Sequence, residues 1–212
     1  TNLLGAARSG SLANLQRRLP LKVCSDNVVS LSAYATCAQQ ANRVIDVVIE
    51  CDTGQKRAGV ETPNEAIKLI RRIHNDPWLQ FAGLLYYPSL NGWYDVQVFN
   101  DKMLSELKKI GIAINIVSTG GTPNFANIGK LKGATEHRAG TCIFNDMMMV
   151  QNGFANLDDC AFHVFTSIVS RAGENRGILD AGSKTLTSDT GGLQGFGRII
   201  EHPCANIKKF SE

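Results

Sequence analysis

Between residues 20 and 145 the chain alternates short apolar runs with stretches whose apolar residues recur every three or four positions. The runs are residues 21–25, 45–51, 81–87, 112–118 and 141–144. They are too short for helices, and β-branched residues dominate the second, so all five read as strands. Helical faces lie between them. Ala66, Leu69, Ile70 and Ile73 occupy i, i+3, i+4 and i+7 behind a Thr62-Pro63-Asn64-Glu65 capping box with proline at the first helical position. Val96, Phe99, Met103, Leu107 and Ile110 form a second stripe, which Gly111 ends. Asp26 or Asn27 caps a third helix over residues 31–41. A repeated strand–helix order predicts a parallel α/β fold, and both a barrel and an open doubly wound sheet satisfy it.

After about Gly153 the texture changes. Residues 161–169 alternate and are rich in β-branched residues, no helical stripe follows, and residues 176–181 and 197–200 look like further short strands. The expectation is an α/β domain over residues 1–153 and an incomplete β-rich domain over 154–212. Thr1 to Gly5 read as the end of a strand. A first residue other than Met, and a last segment without a turn or polar tail, point to an internal piece of a longer protein.

Composition narrows the classes. No apolar run approaches the roughly 20 residues of a membrane span. Twenty-two basic against 19 acidic residues, a net charge of +3, give no electrostatic case for nucleic acid. The six cysteines form no C-x-x-C pair and several sit in apolar runs, so they read as buried thiols in a reducing compartment. With no secretory signal at the start, the expected location is cytoplasmic.

Three segments carry candidate chemistry. In Ser118-Thr119-Gly120-Gly121-Thr122-Pro123 a strand ends in paired glycines among hydroxyls. Such a loop lets main-chain N–H groups approach an anion, and a plain Gly-Gly turn is the alternative. In the segment from Glu50 to Val60, acidic residues leave a buried strand and a basic pair, Lys56 and Arg57, follows a tight turn. Arg57 can point back to the strand ends as a planar cation, or the segment is a solvated loop. The strand over 81–87 ends in Tyr86 and Tyr87, and period-2 alternation sends one of the two toward the strand-end cleft.

In this order and spacing the segments resemble the pyridoxal-phosphate enzymes of the alanine racemase type, in the D-threonine aldolase and D-serine dehydratase branch. Two further segments extend the resemblance. Glu136 to Asp146 is similar to the family's E-x-R-x-G-T-Y-x-F-x-D strand, and Asp180-Ala181-Gly182-Ser183-Lys184, with Asp189, to its D-A-G-x-K segment. The fold implied is a partial (β/α)8 barrel followed by the start of a β-rich C-terminal domain. The resemblance implies that Ser118, Gly120, Gly121 and Thr122 bind the cofactor phosphate. It also implies that Arg57 approaches the phenolic oxygen and that Tyr87 lines the ring pocket.

The chain also departs from the family pattern. Cys142 stands where the family has Tyr, and Met147, Met148 and Met149 follow Asp146 as a packing run. The family's Schiff-base lysine, within an R-P-H-x-K-T-like motif, has no counterpart here and is expected upstream of Thr1. Lys184, Lys22 and Lys56 are not substitutes, so no catalytic residue is assigned. His202 and Cys204 read as surface rather than metal ligands, and any divalent metal is expected only in the intact parent. His163 reads as structural, His74 as a helix-end cation, and His137 is left without a role. The implied activity of the parent is cleavage of β-hydroxy D-amino acids to glycine and an aldehyde. Its alternatives are dehydration of D-serine to pyruvate and ammonia, and a non-catalytic cofactor-binding barrel. The implied partners are a small D-amino acid and, in the intact protein, a second subunit.

Overall fold

The computed structural model describes residues 6–171 and 173–211, so the strand end expected over Thr1 to Gly5 lies outside the described residues. Two compact units divide between Gly140 and Thr141.

In the first unit the strands are β1 (Lys22–Ser25), β2 (Ile45–Cys51), β3 (Leu79–Tyr86), β4 (Ile116–Gly120) and β5 (Glu136–Arg138). They pair in sequence order, each parallel to the next. An open doubly wound sheet reverses its order at a switch point, whereas consecutive neighbours are the wall of a barrel. The order therefore decides between the two architectures that the repeat left open.

Four helices cover one side of this wall: α1 (Ala6–Arg18), α2 (Val28–Ala41), α3 (Pro63–His74) and α4 (Trp93–Lys109). Asn27 is the cap of α2, accepting from the Ser30 N–H at 2.9 Å. The capping box of α3 is formed in both directions: Glu65 N–H donates to Thr62 Oγ1, and the Glu65 carboxylate accepts from Thr62 N–H. Thr62→Ala removes an N-terminal partner and is expected to cost about 1 kcal/mol, read as a shift of the urea midpoint at unchanged slope.

The core lies between helices and sheet. Ile45, Val47, Ile49 and Cys51 of β2, Leu84 and Tyr86 of β3 and Val117 of β4 face it, against Leu31, Tyr34, Ile70, Val96, Phe99 and Met103. The intervening residues, Val48, Glu50, Leu85, Ser118 and Gly120, line the opposite, inner face. A bulge interrupts β3, where Val47 pairs with Phe81 but Val48 pairs with Gly83, leaving Ala82 as an extra residue.

α1 carries no regular apolar stripe and went unread in the sequence. It docks through Leu12 and Ala13, and through the buried Gln16, whose amide donates to the Val44 carbonyl and accepts from the Leu21 N–H. β4 begins four residues later than expected. Gly111, at φ +70°, and the bond from Ile112 N–H to the Leu107 carbonyl still belong to the end of α4, so β3 finds its partner only from Ile116.

The second unit departs further from the sequence reading. The strand expected over 141–144 is a 3-10 turn, Thr141–Ile143, whose chain turns back through a bond from Asn145 N–H to the Thr141 carbonyl. The methionine run forms the short helix α5 (Met147–Gln151), capped by Asp146, with Met149 buried. Of residues 161–169 only the end is a strand: β6 (Ile168–Ser170) pairs antiparallel with β7 (Ile178–Leu179). Residues 197–200 contribute one bridge, Arg198 to Asn206. The six cysteines are thiols, but only Cys37 and Cys51 are buried while Cys142 and Cys204 are exposed, so burial of the whole set is not met. Burial pushes both the Cys37 and Cys51 thiols up. Among the described residues no helix is long and apolar enough to cross a membrane.

Candidate functional site

The carboxyl ends of β2 to β5 converge, and alternation sorts their side chains. Ser118 pairs with Glu136, Thr119 with His137 and Gly120 with Arg138. Ser118, Gly120 and Arg138 thus share the inner face, while Thr119 and His137 share the other. The Thr119 hydroxyl, one of those beside the glycine pair, is turned to His137 at 2.7 Å and not to the inner face.

Arg138 spans the inner face. Its guanidinium donates to Ser118 Oγ and, at 3.2 Å, to the Tyr86 carbonyl. The residue is exposed overall, and partial burial draws its guanidinium below its ordinary range, against Glu136, Glu50, Cys24 and Tyr87, which hold it up. Arginine nevertheless stays cationic. Because Ser118 Oγ accepts from Arg138, its own proton is left to donate. A Cβ on Gly120 would stand 2.9 Å from an Arg138 nitrogen, so glycine here gives the guanidinium its path.

Tyr87 packs on the other side of the glycine pair. A Cβ on Gly121 would lie 3.0 Å from its phenolic oxygen, and Gly121 has φ +100°. The Gly121 N–H is committed to the Arg138 carbonyl at 2.9 Å. A 3-10 segment, Thr122–Lys130, follows. In it the buried Asn124 ties the loop to the segment that follows β3 by donating to the Pro88 carbonyl at 2.8 Å, and its own side-chain oxygen has no protein partner. Arg57 lies over the Tyr87 ring, 4.6 Å from its centroid, a cation–π contact that parks the charge beside the loop.

The segment that delivers Arg57 is a built turn. Asp52 accepts from the N–H groups of Gly54 and Gln55, both at 2.8 Å, and Gly59 N–H donates to Asp26 at 3.0 Å. The chain then rejoins β2 through reciprocal backbone bonds of Val60 with Glu50 and Asp52. Asp52 therefore shapes the loop.

Arg57, Tyr87, Ser118, Gly120 and Gly121 come together at the strand ends, with Thr122 next in the chain. Arg138 and His137 join them, although the sequence reading gave neither a role. Both lie in Glu136 to Asp146, and the signal that would have found them is strand alternation starting at Glu136 rather than Thr141. The remaining candidates belong to other segments. Lys184, His163, His202 and Cys204 belong to the second unit, where His163 bonds the Cys160 carbonyl and His202 and Cys204 are exposed. His74 closes α3.

Residues 2–147 match the N-terminal domain of alanine racemase, and residues 161–212 a putative serine dehydratase domain. The chain belongs to the alanine racemase N-terminal domain family. D-threonine aldolase of Arthrobacter sp is 30% identical over 210 residues, which cover 92% of this chain and 55% of that one. D-threo-3-hydroxyaspartate dehydratase of Delftia sp. (strain HT23) is 26% identical, over 88% of this chain and 54% of that one. The chain thus spans about half the length of these relatives. The crystal structure of D-threonine aldolase from Filomicrobium marinum superposes with a TM-score of 0.86 at 24% identity, covering 99% of this chain and 60% of that one. The alanine racemase-type fold expected from the motifs is the fold observed, and relatives of both expected kinds, aldolase and dehydratase, are found.

Proposed function

We propose that this chain carries most of the cofactor-binding barrel of a pyridoxal-phosphate lyase acting on β-hydroxy D-amino acids, with a D-threonine aldolase-like activity in the whole protein. The observation that carries this reading is the convergence of two arginines, a tyrosine ring, the Ser118 hydroxyl and a glycine pair on one end of a barrel wall. Phosphate sites belong at that end. The donor set fits a phosphorylated aromatic aldehyde: hydroxyls and cations for the anion, and an aromatic wall for a ring.

In this reading the loop of Ser118, Gly120, Gly121 and Thr122 takes the phosphate, Ser118 donating the proton that Arg138 leaves it and Gly121, whose N–H is committed to the Arg138 carbonyl, leaving room for the anion rather than donating to it. Arg57, already beside the Tyr87 ring, would hold the cofactor's phenolic oxygen, and Tyr87 would line the ring pocket. Arg138 sets a fixed positive charge on the inner face and orients Ser118. When bound, pyridoxal phosphate supplies an aldehyde for the substrate amine and a ring that accepts electron density from the bond being broken. The partner lysine for that aldehyde, the metal of the whole protein, a second subunit and a cytoplasmic location belong to the same proposal. Dehydration of a β-hydroxy D-amino acid is the second reading, favoured by the match of residues 161–212 to a serine dehydratase domain.

The test is retention of pyridoxal phosphate by the 212-residue chain after desalting, followed by absorbance. Saturable retention is expected; none at millimolar ligand would sink the reading. Glycine release from D-threonine, against pyruvate release from D-serine, by the whole protein then separates aldolase from dehydratase.

A further inference from the structure

His137 sits behind the glycine pair on the face of β5 away from Arg138. Its Nε2 is 3.1 Å from the Gly121 carbonyl, its Nδ1 is 2.7 Å from Thr119 Oγ1, and Phe125 meets its ring edge-on at 6.2 Å. A carbonyl only accepts, so Nε2 carries the hydrogen. In the neutral ring Nδ1 then accepts from the fully buried Thr119 hydroxyl, for whose proton it competes at 2.7 Å with the Glu136 carbonyl at 3.4 Å. The same carbonyl also accepts from Asn124 N–H at 3.0 Å, and the Gly121 N–H is bound to the Arg138 carbonyl. Both polar groups of Gly121 are therefore fixed by β5 and by the following turn.

That has a geometric result. In a trans peptide the carbonyl and the next N–H point in opposite directions. Holding the Gly121 carbonyl toward His137 turns the Thr122 N–H away from the imidazole. We propose that His137 is a positioning residue for anion binding: its Nε2–H holds the Gly121–Thr122 peptide so that the Thr122 N–H is directed to the inner face, beside Ser118. Gly121 at φ +100° has no Cβ to restrict this peptide, so the orientation has to come from outside the glycine. This rests on the cofactor reading above and adds to it a residue that never touches the ligand.

The test compares affinities of the 212-residue chain for pyridoxal phosphate and for pyridoxal, which lacks the phosphate. His137→Phe keeps an aromatic ring against Phe125 but removes the donor. It is expected to weaken pyridoxal phosphate by about tenfold, the scale of one directed hydrogen bond, and to leave pyridoxal unchanged. His137→Gln, whose amide restores an N–H, is expected to recover most of the loss. Equal weakening of both ligands, or no weakening of either, would overturn the proposal. If the unmodified chain retains neither ligand, the cofactor reading fails, and the imidazole nitrogen resonances of a 15N-labelled sample decide the role of His137. A neutral ring protonated at Nε2 sustains the clamp, and one protonated at Nδ1 ends it.

Discussion

Gly83→Ala is expected to destabilise the protein by more than about 3 kcal/mol, the range reserved for overpacking that the structure has no room to relax. Gly83 opens the pairing of β3 with β4 opposite Ile116. An added Cβ would come 2.0 Å from the Ile116 carbonyl oxygen and 2.7 Å from its carbon. The obstacle is main chain, so no rotamer change relieves it. The two strands have to part where the ladder from Gly83 to Leu85 begins, and Ser118, the last residue of that ladder, moves with them. Urea denaturation followed by circular dichroism measures the loss. Gly10→Ala is the control: Gly10 lies inside α1 with nothing within 4 Å of an added Cβ. It is expected to gain about 0.5–1 kcal/mol. A Gly83→Ala protein of unchanged midpoint would show that β3 and β4 do not pair as described.

Arg138→Met is expected to reduce affinity for pyridoxal phosphate by about a hundredfold, the scale of one or two hydrogen bonds to a charged group. The guanidinium serves the inner face twice, as a cation and as the donor that fixes Ser118 and the Tyr86 carbonyl. Methionine fills the stem's volume and removes both functions. Arg138→Lys keeps the charge but has no planar fork to reach two acceptors at once, so it is expected to recover only part of the loss. Equilibrium dialysis against inorganic phosphate as well as the cofactor separates the contributions. A fall for both places Arg138 at the anion, and a fall for the cofactor alone places it at the ring. Wild-type affinity in Arg138→Met would remove the residue from the site.

How far these features could be read from sequence depended on whether their cause was local. β2 and α3 were legible because Ile45 to Cys51 and the Thr62 capping box carry their own propensities and end signals. β5 was not. Glu136-His137-Arg138 is short and wholly polar, and it is a strand because β4 offers it a ladder. For the same reason Arg138 and His137 remained unassigned, since opposite faces exist only once a strand does. In the second unit, residues 161–167 have the period of a strand yet join no ladder, and Phe165 is 98% exposed. A period proposes a strand, but a partner has to make it. The glycine pair was legible by type as a turn at the end of a strand. Its crowding by Tyr87 on one side and Arg138 on the other is a three-dimensional fact.

The extra residue in β3 has a consequence for the tyrosines that follow it. Counted straight through from the core-facing Phe81, every second residue would keep the same side, and Tyr87 would join the helices while Tyr86 entered the mouth. Ala82 shifts the phase by one. Tyr86 is sent to the core, where its hydroxyl bonds the buried Asn100 at 3.2 Å, and Tyr87 to the loop, where it meets Arg57 and Gly121. Which of two identical neighbours serves the site is therefore written in the length of the strand between two paired positions, several residues upstream, and not in the tyrosines themselves.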